Sequence, residues 1–146
     1  MIESILKNCK ILKVMDSQAA GVTDPASDIV DTQGFAGVCF VAKLGAVTDA
    51  GAVTLKVQQN TANSTSGMAD LSGATAAIAV TATDSEQSLV VEVIKPRERY
   101  LRAVVVRDTQ NSEVDAVYAI LFGAAAVPIT QPATIDASTL VVSPSE

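Results

Sequence analysis

Residues 100–122 read YLRAVVVRDTQNSEVDAVYAILF, and this stretch predicts two β-strands, Tyr100–Asp108 and Glu113–Phe122. Both runs are rich in β-branched and aromatic side chains, which pack well on a pleated, half-buried sheet. The residues between them, Thr109 to Ser112, are polar and typical of a short turn. The stretch therefore predicts a β-hairpin within an all-β fold.

Strand-like segments recur along the chain, with turn residues about every 8–12 residues. Val53–Gln58 alternates apolar and polar side chains with a period of two, which predicts one buried and one solvated face. Val38–Leu44 is nearly continuous in apolar residues and predicts a central strand. Further strands are predicted over residues 29–32, 74–83 and 88–94, and Gly45–Gly51 is interpreted as a hairpin connection. In all, about eight strands are predicted, which is typical of a two-sheet β-sandwich or jelly roll.

The segment from residue 4 to residue 15 fits both a helix and a strand. Ile5, Leu6 and Cys9 would share one face of a helix, whereas the alternation expected of a strand is poor. Because the rest of the chain reads as β, we predict a strand here. Residues 18–28 and 60–73 are rich in polar and turn residues and are predicted as loops, the second long and exposed.

The character of the sequence changes near residue 124, which predicts a β-sandwich domain over residues 1–124 and an extended C-terminal arm over residues 125–146. The arm holds three of the five prolines and no basic residue. It also carries large apolar side chains that a solvated tail would not need. These include Ile129, Ile135, Leu140, Val141 and Val142. The arm is therefore expected either to lie along a partner or neighbouring subunit, or to fold back as a strand on its own domain.

The composition argues against several classes of function. The chain has 146 residues and a net charge of −6, with no histidine and no tryptophan. Without histidine, Ser-His-Asp catalysis and histidine zinc sites are excluded. The scarcity of aromatic residues disfavours base stacking and sugar binding, and the negative charge disfavours contact with a nucleic-acid backbone. We therefore expect neither an enzyme nor a nucleic-acid-binding protein.

The sequence holds no motif for a metal, a cofactor or a membrane. Its aspartates lack the dense spacing of a calcium loop. The longest apolar runs, such as Ala116–Val127, are shorter than the ~20 residues that span a bilayer. Cys9 and Cys39 form no Cys-x-x-Cys motif and are interpreted as buried thiols of a chain made in a reducing cytosol.

All four arginines lie in one short stretch that includes a turn and the strand after it. Arg102 and Arg107 have opposite parity on the predicted strand, so they need not share a face. One interpretation is a solvated edge with acidic neighbours. The other is a basic patch that meets carboxylates on a protein partner.

Three stretches carry a resemblance to a known family. They are VVEVIKPRERYLR at residues 90–102, VDTQGFAGV at residues 30–38 and AILFGA at residues 119–124. Together they resemble the head decoration, or cement, proteins of tailed bacteriophages. The similarity extends over most of residues 4–124.

The resemblance implies a jelly-roll-like sandwich that binds the outer capsid surface and bridges subunits of the major capsid protein, often as a dimer or trimer. Such a protein is made in the host cytoplasm and added to the exterior of the virion. The candidate capsid contacts are Arg97, Arg99, Arg102, Arg107, Ile129, Ile135, Leu140 and Val141. A head–tail connector or tail-tube component is the alternative, because these proteins also use β-sandwiches and arms.

Overall fold

The structure is a computed structural model that describes residues 3–81 and 83–144. Ala82, which the predicted strand 74–83 included, and the ends of the predicted domain and arm lie outside the described residues. The elements are α1 (Ile5–Asn8), β1 (Lys10–Met15), β2 (Gln18–Gly21), β3 (Val30–Asp31), β4 (Gly37–Val47), β5 (Ala52–Asn60), β6 (Ala69–Ala79), β7 (Ser88–Ile94), β8 (Tyr100–Asp108) and β9 (Ser112–Phe122). The predicted all-β class is confirmed.

The strands form two antiparallel sheets. Sheet A has the order β1-β9-β4-β7, and β2 also pairs with β9. Sheet B has the order β3-β8-β5-β6. The predicted two-sheet β-sandwich is therefore confirmed, and β7 and β8 have the bounds that the sequence predicts.

Alternation along the strands builds the core between the sheets. In β5, Val53, Leu55 and Val57 are fully buried, while the side chains between them are half-buried. Phe40 and Leu44 of β4 belong to the same buried apolar cluster. Burying each side chain of this size stabilises the fold by about 1.5–3 kcal/mol. The period-two pattern of β5 thus gives the one buried face that it predicts.

Two predicted hairpins are wrong. Residues 109–111 cross from β8 in sheet B to β9 in sheet A, and residues 48–51 cross between β4 and β5. A hairpin and a crossing between sheets both use a short polar turn, so the turn sequence does not distinguish them. The distinction depends on pairing partners that are distant in sequence, because β8 pairs with β5 and β9 pairs with β4.

Three local predictions also need correction. Residues 5–8 form α1, whose N-cap Ser4 accepts a hydrogen bond at Oγ from the N–H of Lys7 at 3.3 Å, and the predicted strand is limited to residues 10–15. Strand β2 lies inside the predicted loop 18–28 and pairs with β9. Strand β6 begins at Ala69, so the predicted loop 60–73 is reduced to residues 61–68. Neither β2 nor the start of β6 alternates clearly, and each gains its strand structure from a neighbouring strand.

The two long sides of the sandwich differ. On the side that we call the closed side, residues 24–28 run between the sheets. The backbone N–H of Ser27 donates to Ala103 O in sheet B, and that of Asp28 donates to Val14 O in sheet A, both at 2.8 Å. On the opposite side, which we call the open side, the edge strands β6 and β7 lie near each other, and no described residue pairs with the outer edge of β7.

Candidate functional site

An exposed basic turn lies at one end of the sandwich, between β7 and β8. We call it the basic corner and define it by Lys95, Arg97 and Arg99. The N–H of Lys95 donates to Ala36 O at 2.7 Å, and the N–H of Thr32 donates to Arg99 O at 2.9 Å. The loop that follows β3 therefore braces the backbone that carries the three cations.

Arg99 forms a two-bond ion pair with Asp31. The distances from Nε to Oδ1 and from Nη2 to Oδ2 are both 2.8 Å. The guanidinium also lies 5.1 Å from the ring centroid of Tyr100. The hydrogen bond from Arg99 lowers the pKa of the Asp31 carboxyl group. Because both side chains of the pair are 46% exposed, its main effect is to orient Arg99.

Lys95 and Arg97 differ from Arg99, because neither forms an ion pair with any residue that the structure describes. Both side chains are exposed. They are therefore available to an anionic group of a partner. These two residues, with Arg99, form the basic patch that the sequence allows, and Lys95 is a member that the clustering of arginines does not reveal.

Arg102 lies apart from the basic corner. It points away from the core on β8, and its Nε donates to Gln58 Oε1 on β5 at 2.8 Å. The side chain is half-buried. Arg102 therefore belongs to the outer surface of sheet B and not to the turn that forms the basic corner.

Arg107 is an interior residue, not the surface contact that the sequence suggested. Its side chain is buried, and the residue is 3% exposed. Nη1 donates to Ala19 O at 2.8 Å and to Ser112 O at 2.7 Å, and Nε donates to Thr23 O at 2.6 Å. The guanidinium thus ties the segment around β2 to β8 and β9. The opposite parity of Arg102 and Arg107 was the signal in the sequence that separated them.

The three stretches 90–102, 30–38 and 119–124 meet at the end that carries the basic corner. Ala36 of one stretch accepts a hydrogen bond from Lys95 of the second and donates one to Phe122 O of the third, at 2.9 Å. Gly37 leaves space for the ring of Phe122, since an added Cβ would lie 2.5 Å from that ring. The stretches are therefore joined to one another at this end of the sandwich.

The first half of the arm folds back on its own domain, as coil and not as a strand. The N–H of Ile129 donates to Lys7 O at 2.8 Å. The Gln131 side chain donates from Nε2 to two carbonyl oxygens near α1, at 2.9 and 2.7 Å, and its Oε1 accepts from the N–H of Ile11 at 3.0 Å. With these three hydrogen bonds, the Gln131 side chain holds the arm against the domain, and we call it the clamp of the arm. The sequence did not predict this role, because a single glutamine in a coil belongs to no recognisable pattern.

The second half of the arm, residues 136–144, has no regular secondary structure, and we call it the tail. Leu140 and Val141 are exposed and lie near α1, together with residues 3–6. Ile129 and Ile135, in contrast, are half-buried. The structure therefore separates the four apolar candidates of the arm into two half-buried and two exposed residues.

Cys9 and Cys39 are free and half-buried, which differs from the full burial expected of them. Cys39 lies on β4 opposite Glu92, and burial together with that negative charge raises the pKa of its thiol. Within residues 3–81 and 83–144, no three aspartate, glutamate or cysteine side chains are grouped so that they could hold a metal ion. In the same part of the chain, no helix has the length and apolar character needed to cross a membrane.

No protein-family model matches the chain, and no curated protein matches it. Among solved structures, the chain is similar to a protein of Bacillus endospore appendages, described as a novel family of disulfide-linked pili. The sequence identity is 15%, the TM-score is 0.46, and the match covers 81% of this chain and 90% of that chain.

Proposed function

We propose that the chain is a structural protein of a tailed-phage virion, which binds the capsid exterior and stabilises the shell by bridging subunits of the major capsid protein. It acts by binding and not by catalysis. The observation that supports this most is the basic corner, where Lys95 and Arg97 are exposed on a braced turn without carboxylate partners among the described residues. The three stretches that resemble decoration proteins meet at the same place.

The charge distribution suits a contact with carboxylates of a capsid protein. The chain has a net charge of −6, so an acidic partner attracts it through the basic corner and repels most of its remaining surface. A braced turn loses little backbone freedom on binding. Each contact can be weak, because a protein that bridges two subunits gains avidity from the second attachment.

Uptake by expanded, undecorated capsids of the cognate major capsid protein tests this proposal. We expect saturable cosedimentation of the chain with the capsids, and a loss of affinity of at least about tenfold when Lys95→Glu and Arg97→Glu are combined. The affinity should also fall as salt is raised. The absence of uptake at every stage of capsid maturation would overturn the proposal.

A matched control separates the basic corner from the net charge. Lys7 also lacks a carboxylate partner in the described part of the chain and is exposed, and Lys7→Glu changes the net charge by the same amount as Arg97→Glu alone. The control variant should bind capsids nearly as well as the original chain. Equal losses in both variants would remove the basic corner as the capsid contact.

The second candidate function is a head–tail connector or tail-tube component. The open side favours it, because two neighbouring edge strands are suited to contacts between copies of one chain. Rings of uniform size, formed by the isolated chain and seen in negative stain, would support this function over capsid decoration.

A further inference from the structure

The open side of the sandwich has an edge strand that is accessible for pairing. Strand β7 pairs with β4 along one edge only. Its outward-facing Val90 and Ile94 are 52% and 62% exposed. The strand holds no lysine, proline or bulge, and the exposed Glu92, between Val90 and Ile94 on the outward face, is the one charge that protects its edge.

A cleft of about 410 Å³ lies beside β7, where the end of this strand faces the start of β6. Gly73, with a φ of +80°, and a shift in register in the β5–β6 pair bend β6 at this point. Lys95, Arg97 and the acidic Glu92 line the cleft. The cleft therefore places apolar side chains next to a free strand edge and next to two cationic side chains and one carboxylate.

The tail has the properties of a strand without a partner. Leu140, Val141 and Val142 favour the β conformation, and the two valines are each 77% exposed. Residues 136–144 make no backbone hydrogen bond within the part of the chain that the structure describes. Asp136 is the single charged residue between positions 123 and 144.

The tail and the open edge of its own chain lie on opposite sides of sheet A. The arm is clamped beside β1, and β1 and β7 are the two ends of the strand order of that sheet. The tail then lies near α1, on the β1 side. Because the tail and the free edge of one chain lie on opposite sides of sheet A, the tail is placed to contact the edge of another molecule. A contact of tail to edge is heterologous, so it leaves a free tail and a free edge for further copies.

We propose that the tail of one copy adds as an antiparallel strand to the outer edge of β7 in a second copy. One register satisfies both charge and side-chain pattern: Asp136 meets Lys95, and Val141 meets Val90 on the outer face. Leu140 and Val142 then continue the inner face beside Leu89 and Val91, which are buried at the edge of the core. This contact uses the open side and shares Lys95 with the basic corner. Its test measures association of the chain with itself, in the absence of capsids, so its outcome does not depend on capsid binding.

Two single-sided variants test the contact in the full-length chain. Val141→Pro removes a backbone donor from the tail, and Val90→Lys with Ile94→Lys places charges on the receiving edge. In sedimentation velocity, the original chain should form larger species as its concentration rises. Each variant alone should lower the association constant by at least about tenfold.

Matched controls separate the contact from general effects. Val22→Lys with Val127→Lys adds the same charge at positions that are 52% and 58% exposed and lie away from β7, so this variant should associate like the original chain. Val141→Thr keeps a β-branched residue in the tail and should also associate. Circular dichroism of every variant should match that of the original chain, since all changes are at exposed sites.

A mixture of the two variants gives the sharpest outcome. The Val141→Pro chain retains an intact edge, and the Val90→Lys/Ile94→Lys chain retains an intact tail, so the mixture should form one-to-one dimers and nothing larger. If the original chain associates but the mixture stays monomeric, the proposal is overturned. A tail-to-edge contact would have to form in the mixture, between the intact tail of one variant and the intact edge of the other. An original chain that remains monomeric up to about 1 mM would overturn it as well.

Discussion

The closed and open sides of the sandwich differ in whether the backbone groups at the edges of the sheets have partners within the described chain. On the closed side, residues 24–28 and the Arg107 side chain use the free backbone groups of both sheets. On the open side, β6 and β7 lie side by side, and the outer edge of β7 has no partner among the described residues. One side is therefore completed by the chain itself, and the other is left for a further strand.

The difference has an energetic basis. Ser27, Arg107 and Ser112 on the closed side are buried, so the loss of one partner leaves another group unsatisfied. Polar groups at the open edge are accessible to water, so the fold does not require a partner for them. We therefore expect substitutions on the closed side to change stability, and substitutions on the open side to change association.

Arg107→Ala, on the closed side, should destabilise the fold more than any other single substitution proposed for either side. It removes the donors for the carbonyl oxygens of Ala19, Thr23 and Ser112, which lie 2.6–2.8 Å from the guanidinium. We expect a loss of about 2–4 kcal/mol in the free energy of unfolding, because the buried carbonyl of Ser112 and two part-buried carbonyls lose their donor at once. Urea denaturation measures the change.

Arg97→Ala is the matched control, since Arg97 is exposed and without an ion pair in the described residues. It should change stability by less than about 0.5 kcal/mol. Arg107→Lys should recover only part of the loss, because an ammonium group cannot reproduce the planar fork of donors. If Arg97→Ala and Arg107→Ala are equally mild, the buried guanidinium does not hold the closed side together.

Ser27→Ala should have the next largest effect. The Ser27 Oγ accepts a hydrogen bond from the N–H of Ala103 at 2.9 Å and donates one to Asp28 O at 2.8 Å, in a buried position. The substitution leaves the Ala103 N–H without this partner, so we expect a loss of about 1–2 kcal/mol. Hydrogen exchange of the Ala103 amide should become faster, and no change in that rate would contradict the bridging role of Ser27.

Ser112→Ala should act in the opposite direction and by a smaller amount. The Ser112 Oγ is buried and has no hydrogen-bond partner in the described part of the chain, whereas its carbonyl oxygen still accepts from Arg107 after the substitution. Removing an unsatisfied hydroxyl should stabilise the fold by up to about 1 kcal/mol. Thermal unfolding measures it, and a loss as large as that of Ser27→Ala would mean that the hydroxyl has a partner.

The sequence predicts the strands of this fold better than their arrangement. The bounds of β7 and β8 follow from side-chain alternation and from Pro96, which are local properties. The assignment of β8 and β9 to different sheets does not follow from local properties, because it depends on pairing with strands far away in the sequence. Residues 5–8 show a second limit, since the all-β context outweighed a helical pattern that was present.

The candidate site was predicted in part for the same reason. The basic turn with Arg97 and Arg99 could be found, because clustered charges are visible in a sequence. The partner of Arg99, Asp31, and the clamp formed by Gln131 could not, because each is joined to its contact only by the fold. The parity of Arg102 and Arg107 predicts that they point to opposite faces of β8, but it does not show which face is buried.

Asp31→Asn should have the smallest effect on stability, and this effect should depend on pH. The hydrogen bond from Arg99 holds the pKa of Asp31 below its ordinary value of 3.8, so the unfolded chain binds a proton more readily than the folded chain. The ion pair therefore stabilises the fold above about pH 4, and this contribution is lost as the pH falls through the lowered pKa. The difference in melting temperature between the original chain and Asp31→Asn should narrow from pH 7 to pH 2. A difference that stays constant would show that the Asp31 carboxylate has the same pKa in the folded and unfolded chains.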